Sequence, residues 1–399
     1  MTDGRDRPHQ VPDGLPAVLA NAASGSAADA DLGQAGPRRL WRRRPAYMVG
    51  ALVVAGGLIA AVLLVGAPAR SVHYKMAVDF ARAGFWPQAL VVAPDGKTLY
   101  AVNANDNSNG VMLGTVVPIS TATGVAGRPI TVGVDPEAIV ITPDGKTLYV
   151  ANCSSGTVTP ISTASGRTGN PVPVGKGNCA LAMAPDGATV YVAGQDRSGQ
   201  GTVIPISTVT NTAGKPIPVG SAPVYALAVS PDGRTLYLAS QSLSGGPGTL
   251  TSVSLATGLP GKTIRVPDAP VALAITPDGK TLYVASQGEN TSADGTVTPI
   301  NVATGTPGPP ITVGVEPVAL AVAPDDKTVY VENLYGDMTQ PGTITPIRTS
   351  TGVAGTPILA GWEPRALALS PDGMTIYAGI SAGLGPGYWA VSEASLTSS

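Results

Sequence analysis

The sequence predicts an all-β fold, a propeller of seven four-stranded antiparallel blades, on three observations. A Pro-Asp-Gly turn recurs at Pro94, Pro143, Pro185, Pro231, Pro277, Pro324 and Pro371, with Asp326 in place of the glycine in the sixth copy. The intervals of 42 to 49 residues are those of a repeat architecture. Each turn is flanked by short runs rich in β-branched and aromatic residues. With 50 Gly and 38 Pro, no stretch after residue 70 is both free of helix breakers and apolar at helical period.

One unit shows how each element arises. Ala138-Ile139-Val140-Ile141 is a short apolar strand. Asp144-Gly145 turns the chain, because glycine accepts the positive φ of a tight hairpin. Thr147-Leu148-Tyr149-Val150 makes the second strand and Thr157-Val158-Thr159-Pro160-Ile161 the third, where Pro160 suits a bulge or an unpaired N–H. Pro171-Val172-Pro173-Val174 makes the fourth. Two prolines suit an outer edge, where they block pairing with another chain. The seventh copy ends without a fourth strand, whereas residues 72–78 form a strand-like segment before the first turn. Residues 72–82 are therefore expected to complete the last blade and close the ring.

Four regions follow. Residues 1–45 lack periodicity and read as a disordered cytoplasmic tail ending in the Arg-rich flank Arg38 to Arg44. Residues 46–67 contain no charge and are long enough for a membrane-spanning helix. The arginines before them place the N-terminus in the cytoplasm and the rest outside it. Ala67-Pro68-Ala69 offers the alternative of cleavage and secretion. Residues 72–391 form the propeller and 392–399 a tail. Charged residues are only 13% of the chain, and from Arg70 onward 17 basic side chains face 21 acidic ones, which speaks against nucleic acid as a partner. Cys153 and Cys179 fall on one face of neighbouring blades and are expected to pair in an oxidising compartment, the alternative being two free thiols.

The segment Leu148-Tyr149-Val150-Ala151-Asn152 after Pro-Asp-Gly-Lys-Thr, followed by Gly156-Thr157-Val158-Thr159-Pro160-Ile161, resembles the YVTN β-propeller repeat family. Related copies stand at Tyr191-Val192-Ala193-Gly194, Tyr283-Val284-Ala285-Ser286 and Tyr330-Val331-Glu332-Asn333. The resemblance spans residues 72–391. It implies a fold shared with surface-layer proteins and with lactonase- and quinoprotein-type propellers, and it carries no catalytic positions onto this chain.

The two histidines, His9 and His73, lie away from any expected funnel, so neither His-ligated metal nor a Ser-His or Cys-His pair is expected there. No metal and no cofactor is expected. The run Asn105 to Gly110 has the spacing of a calcium loop, but Val116 stands where a bidentate glutamate belongs, so a polar turn is the better reading. The x residue of each Pro-x-Ala-Leu or similar entry into a first strand faces the funnel rim: Gln88, Glu137, Cys179, Tyr225, Val271, Val318 and Arg365. The sector of blades six, seven and one gathers Phe85, Trp86, Gln88, Glu316, Glu332, Asn333, Tyr335, Trp362, Glu363 and Arg365. Aromatic walls with a few charges suit a protein, a peptide or a small polar ligand. The plainer alternative is that Trp86 and Trp362 pack where the ring closes. Glu332 replaces a residue that is Ala or Gly in most copies, and is expected as a solvated strand end, the alternative being a buried carboxyl of raised pKa. A membrane-anchored, non-catalytic binding or scaffold module is the first functional expectation. The alternatives are a lactonase- or quinoprotein-like enzyme using Glu332, Glu316 and Arg365, and a structural envelope protein with a plugged funnel.

Overall fold

A computed structural model describes residues 71–75, 85–105, 113–177, 180–195, 200–220, 222–242, 246–288, 293–335, 340–381 and 389–397. The stretches 1–45 and 46–67 lie outside them. Among the described residues no helix is long and apolar enough to cross a membrane.

The described structure is all-β and antiparallel. Unit 2 shows the pattern: Pro136–Ile141 pairs with Thr147–Asn152, which pairs with Thr157–Ser162, which pairs with Val172–Pro173. The turn between the first two strands is built by its aspartate. Asp144 Oδ1 accepts from the Lys146 N–H at 3.0 Å and from Thr142 Oγ1 at 2.6 Å, while Gly145 takes a φ of 72°. These hydrogen bonds, that from Thr142 foremost, lower the Asp144 pKa to about 2. In unit 6 the glycine place is held by Asp326 at a φ of 60°, a conformation that aspartate tolerates better than most side chains. Pro160 needs no bulge, since it stands in unbroken register opposite Tyr149 and its carbonyl accepts from the Gly169 N–H.

Between units 5 and 6, and again between units 6 and 7, the outer strand of one unit runs straight into the inner strand of the next, as Ile311–Val322 and Ile358–Leu369. The last unit ends in Trp389–Thr397, six residues beyond the expected boundary at 391. Ser71–Lys75 is its outer neighbour, with Ser71 opposite Thr397 and Lys75 opposite Glu393. The expected partnership between an N-terminal strand and the last unit is thus present. Its register lies further toward the C-terminus than the sequence suggested, because the final strand continues past 391; residues 76–82 lie outside the described ones.

Side chains alternate across each strand, so every unit has two apolar faces. Among the described residues the buried apolar side chains group into clusters that straddle neighbouring units. Tyr100 and Val102 of unit 1 meet Leu148 and Val150 of unit 2. Tyr149 and Ala151 meet Val190 and Val192 of unit 3. The same arrangement carries on to Tyr330 with Ile376 and Ala378, and then joins Tyr377 of unit 7 to Leu99 and Ala101 of unit 1. In units 2, 5, 6 and 7 the opening proline packs on the glycine near the start of the third strand of the unit before it. A Cβ on Gly114 would lie 2.2 Å from Pro136, and one on Gly295 would lie 2.3 Å from Pro317, so only glycine fits.

Candidate functional site

Five units carry one extra residue in the first strand. Pro136 pairs with Asn152 and Ala138 with Ala151, which leaves Glu137 unpaired in a β-bulge. Corresponding register shifts isolate Gln88, Tyr225, Val271 and Val318. In unit 7 the shift runs from Trp362 to Ala366, so Glu363, Pro364 and Arg365 all lie within it. A bulge re-aims a side chain out of the sheet. The backbone before the proline supports it: Asp135, Ala269, Glu316 and Glu363 have φ between 46° and 58°, a left-handed turn just ahead of each bulge. The residue the sequence placed at a rim is therefore the residue the backbone frees from pairing. Cys179, its counterpart in unit 3, lies outside the described residues.

Because the strands are antiparallel, these bulges share one end of the sheets with the last residues of each second strand. Tyr335, at that end of unit 6, stands opposite Val315 and is half-buried. Tyr225 and Trp362 are large apolar side chains left open, at 41% and 48% exposure. Trp362 is therefore not a buried packing residue of the junction between units 7 and 1. Glu137 is exposed; partial burial of its carboxyl and then the charge of Asp135 raise its pKa above the usual carboxylate value. Gln88, Glu316, Glu363 and Arg365 are half-buried. Units 6, 7 and 1, which carry the expected sector, are packed neighbours through their apolar cores. Phe85 and Trp86 stand on the first strand of unit 1, and their side chains lie outside what is described.

Two candidates are not at the surface. Asn333 is fully buried, and its amide nitrogen donates to Thr345 Oγ1 at 3.0 Å and to the Thr343 carbonyl and hydroxyl. Asn152 does the same in unit 2, where its Oδ1 also accepts from the Gly133 N–H at 2.9 Å. These asparagines hold strand ends together. Glu332 is also fully buried, and neither carboxylate oxygen has a hydrogen-bond partner. The expectation of a solvated strand end is corrected. The register sets Glu332 between Ala319 and Ile344, on the face Tyr330 presents to Ile376 and Ala378 of unit 7. Burial alone pushes its pKa well above the ordinary value. No hydrogen bond of Glu332 links it to Glu316 or Arg365.

Among the described residues no group of three or more His, Cys, Asp or Glu could hold a metal ion. Of the calcium-like run, residues 106–110 lie outside the described ones. Cys153 is disulfide-bonded.

Comparison with known proteins agrees with this architecture. A family model described as "Lactonase, 7-bladed beta-propeller" matches residues 78–178. No curated protein matches the chain. Among solved structures, a chain of the Kuenenia stuttgartiensis hydrazine synthase is similar in fold, with a TM-score of 0.65 and 21% identity over 76% of this chain and 94% of that one. The chain is thus a protein of the β-propeller class, with lactonase-like sequence in its first two units.

Proposed function

We propose that the chain is a closed propeller of seven YVTN-type blades that acts as a non-catalytic binding module. It is held at the cell membrane by residues 46–67, with the propeller outside the cytoplasm. Closure is supported by the pairing of Ser71–Lys75 with the last strand and by the apolar cluster shared between units 7 and 1. The observation that carries the binding reading is the set of bulged residues. The repeats keep the same turn, tyrosine and glycine, yet the one residue freed from pairing differs in chemistry from unit to unit: Gln88, Glu137, Tyr225, Arg365. A repeat that varies mainly where the backbone exposes a side chain is built to present a surface. With Tyr225 and Trp362 open beside charged groups, that surface suits a peptide or a small polar ligand.

The experiment captures envelope peptides and glycans on immobilised protein and compares it with a Tyr225→Ala, Trp362→Ala, Arg365→Ala triple variant. Capture by the unaltered chain that the triple variant loses is expected; equal capture by both contradicts the reading. Protease added to intact cells tests the orientation and is expected to cut the propeller.

A second reading, a lactonase-like hydrolase, is favoured by the family match over residues 78–178. It predicts lactone turnover that Glu332→Gln or Arg365→Ala removes. The binding reading predicts none above background.

A further inference from the structure

Between units 2 and 3 the boundary is filled by Tyr149, whose hydroxyl donates to Asn211 Oδ1 at 2.7 Å, and the residue opposite it on the third strand is Pro160. The tyrosine–proline pairing recurs as Tyr100 with Pro118, Tyr191 with Pro205, Tyr283 with Pro299 and Tyr330 with Pro346. Units 4 and 7 depart from it: Tyr237 stands opposite Ser252 and Tyr377 opposite Glu393. At this place, between unit 4 and the turn that follows the third strand of unit 5, lies a cavity of about 260 Å³.

Its walls divide by chemistry. Tyr237, Ile264 and Val302 give its accessible apolar surface over a buried floor of Leu250, Leu282 and Ile300, and Ser252, Asn301 and Thr304 add polar groups. Lys262 reaches across from the outer strand of unit 4, with its Nζ 3.5 Å from where a Cβ on Gly305 of unit 5 would stand. No acidic side chain lines the cavity, and Lys262 makes no ion pair among the described residues.

We propose that this cavity, opened by serine in the proline position, is a binding site for a small organic carboxylate. The apolar body of the ligand lies against Ile264 and the Tyr237 ring. Its carboxylate meets Lys262 Nζ, and the Ser252 hydroxyl, which here donates to the Lys262 carbonyl at 3.5 Å, turns to it as a second donor. At about 260 Å³ the space lies just below the range of drug-sized ligand sites and suits a small aryl carboxylate such as benzoate. The site is separate from the bulged residues and does not depend on what they bind.

The test titrates benzoate, and benzyl alcohol as its uncharged counterpart, into the full chain by calorimetry and ligand-observed magnetic resonance. Saturable benzoate binding is expected, stronger than that of benzyl alcohol. Lys262→Gln is expected to weaken it about tenfold, the scale of one charge-assisted hydrogen bond. Ser252→Pro, which restores the residue carried by five other units, is expected to abolish it. Absence of saturable binding, or undiminished binding by a folded Ser252→Pro variant, overturns the proposal. Should Ser252→Pro not fold, Lys262→Gln decides, because Lys262 is exposed: an unchanged affinity in that variant overturns it equally.

Discussion

Gly342 and Pro364 are in contact so close that a Cβ on the glycine would lie 2.4 Å from both Cγ and Cδ of the proline ring. Gly342 opens the third strand of unit 6 and Pro364 lies in the bulge that opens unit 7, so the contact joins two units through their backbones. Gly248 and Pro270 make the same contact, also at 2.4 Å. Relief of such a clash must move one unit against the other. Gly342→Ala is expected to destabilise by about 1–3 kcal/mol, the usual cost of overpacking, whereas Gly220→Ala meets no atom within 4 Å and carries only the strain of its φ of 110°. Denaturant unfolding of the two variants side by side checks the contrast.

Glu332 is a buried carboxyl with no partner, and its slot holds Val102 in unit 1. Its folded pKa lies above the unfolded value of 4.5. Its contribution to stability is therefore fullest below 4.5 and is lost as pH rises toward the folded pKa. Glu332→Val is expected to raise stability at pH 7 by about 1–3 kcal/mol, the range for an unsatisfied buried polar group, and to flatten this part of the pH profile. Melting temperatures between pH 4 and pH 8 would show it; a variant less stable than the parent at pH 7 would mean that the carboxyl has a partner after all.

The Pro-Asp-Gly aspartates act in the opposite sense. Hydrogen bonds, from Thr142 first in one case and from Lys280 first in the other, hold Asp144 and Asp278 at pKa values of about 2, below the ordinary 3.8. The stability they add is present above 3.8 and is lost as pH falls toward 2. Asp144→Asn and Asp278→Asn are expected to narrow the difference in melting temperature between pH 5 and pH 2.5. A difference equal to that of the parent would show that the turns do not respond to this charge.

Asn152 and Asn103 occupy the same place in successive units, yet Asn152 bonds to Gly133 and Thr159 while neither amide atom of Asn103 has a partner. Asn152→Ala is expected to cost about 1–3 kcal/mol and Asn103→Ala clearly less, since the second breaks no bond. Equal losses in chemical denaturation would contradict the assignment.

The strands were legible because the turn, the β-branched runs and the prolines repeat, and each of those signals acts locally. The bulge was legible in part: the residue before the Ala-Leu or Ala-Ile of each first strand stood out as a rim position, but not the loss of register that frees it. The burial of Glu332 was not legible. Whether a side chain near a strand end meets water depends on the face of the next unit, here Ile376 and Ala378, which lies 44 residues or more along the chain. Asn333 was misjudged for the same reason. Ser252 breaks the Thr-x-x-Pro of five other third strands, a departure that gains meaning only from its partner Tyr237, which the sequence does not show. The length of the final strand was missed because residues 392–397 contain no turn signal and also no strong strand signal.

The central claim is that a segment from before the first repeat completes the last one. Amide hydrogen exchange of the full chain, followed by mass spectrometry, tests it most directly. Residues 71–75 are expected to be protected together with 389–397 and to lose protection with them as denaturant is added. Exchange of 71–75 at the rate of an unfolded chain, while 389–397 stay protected, would contradict it.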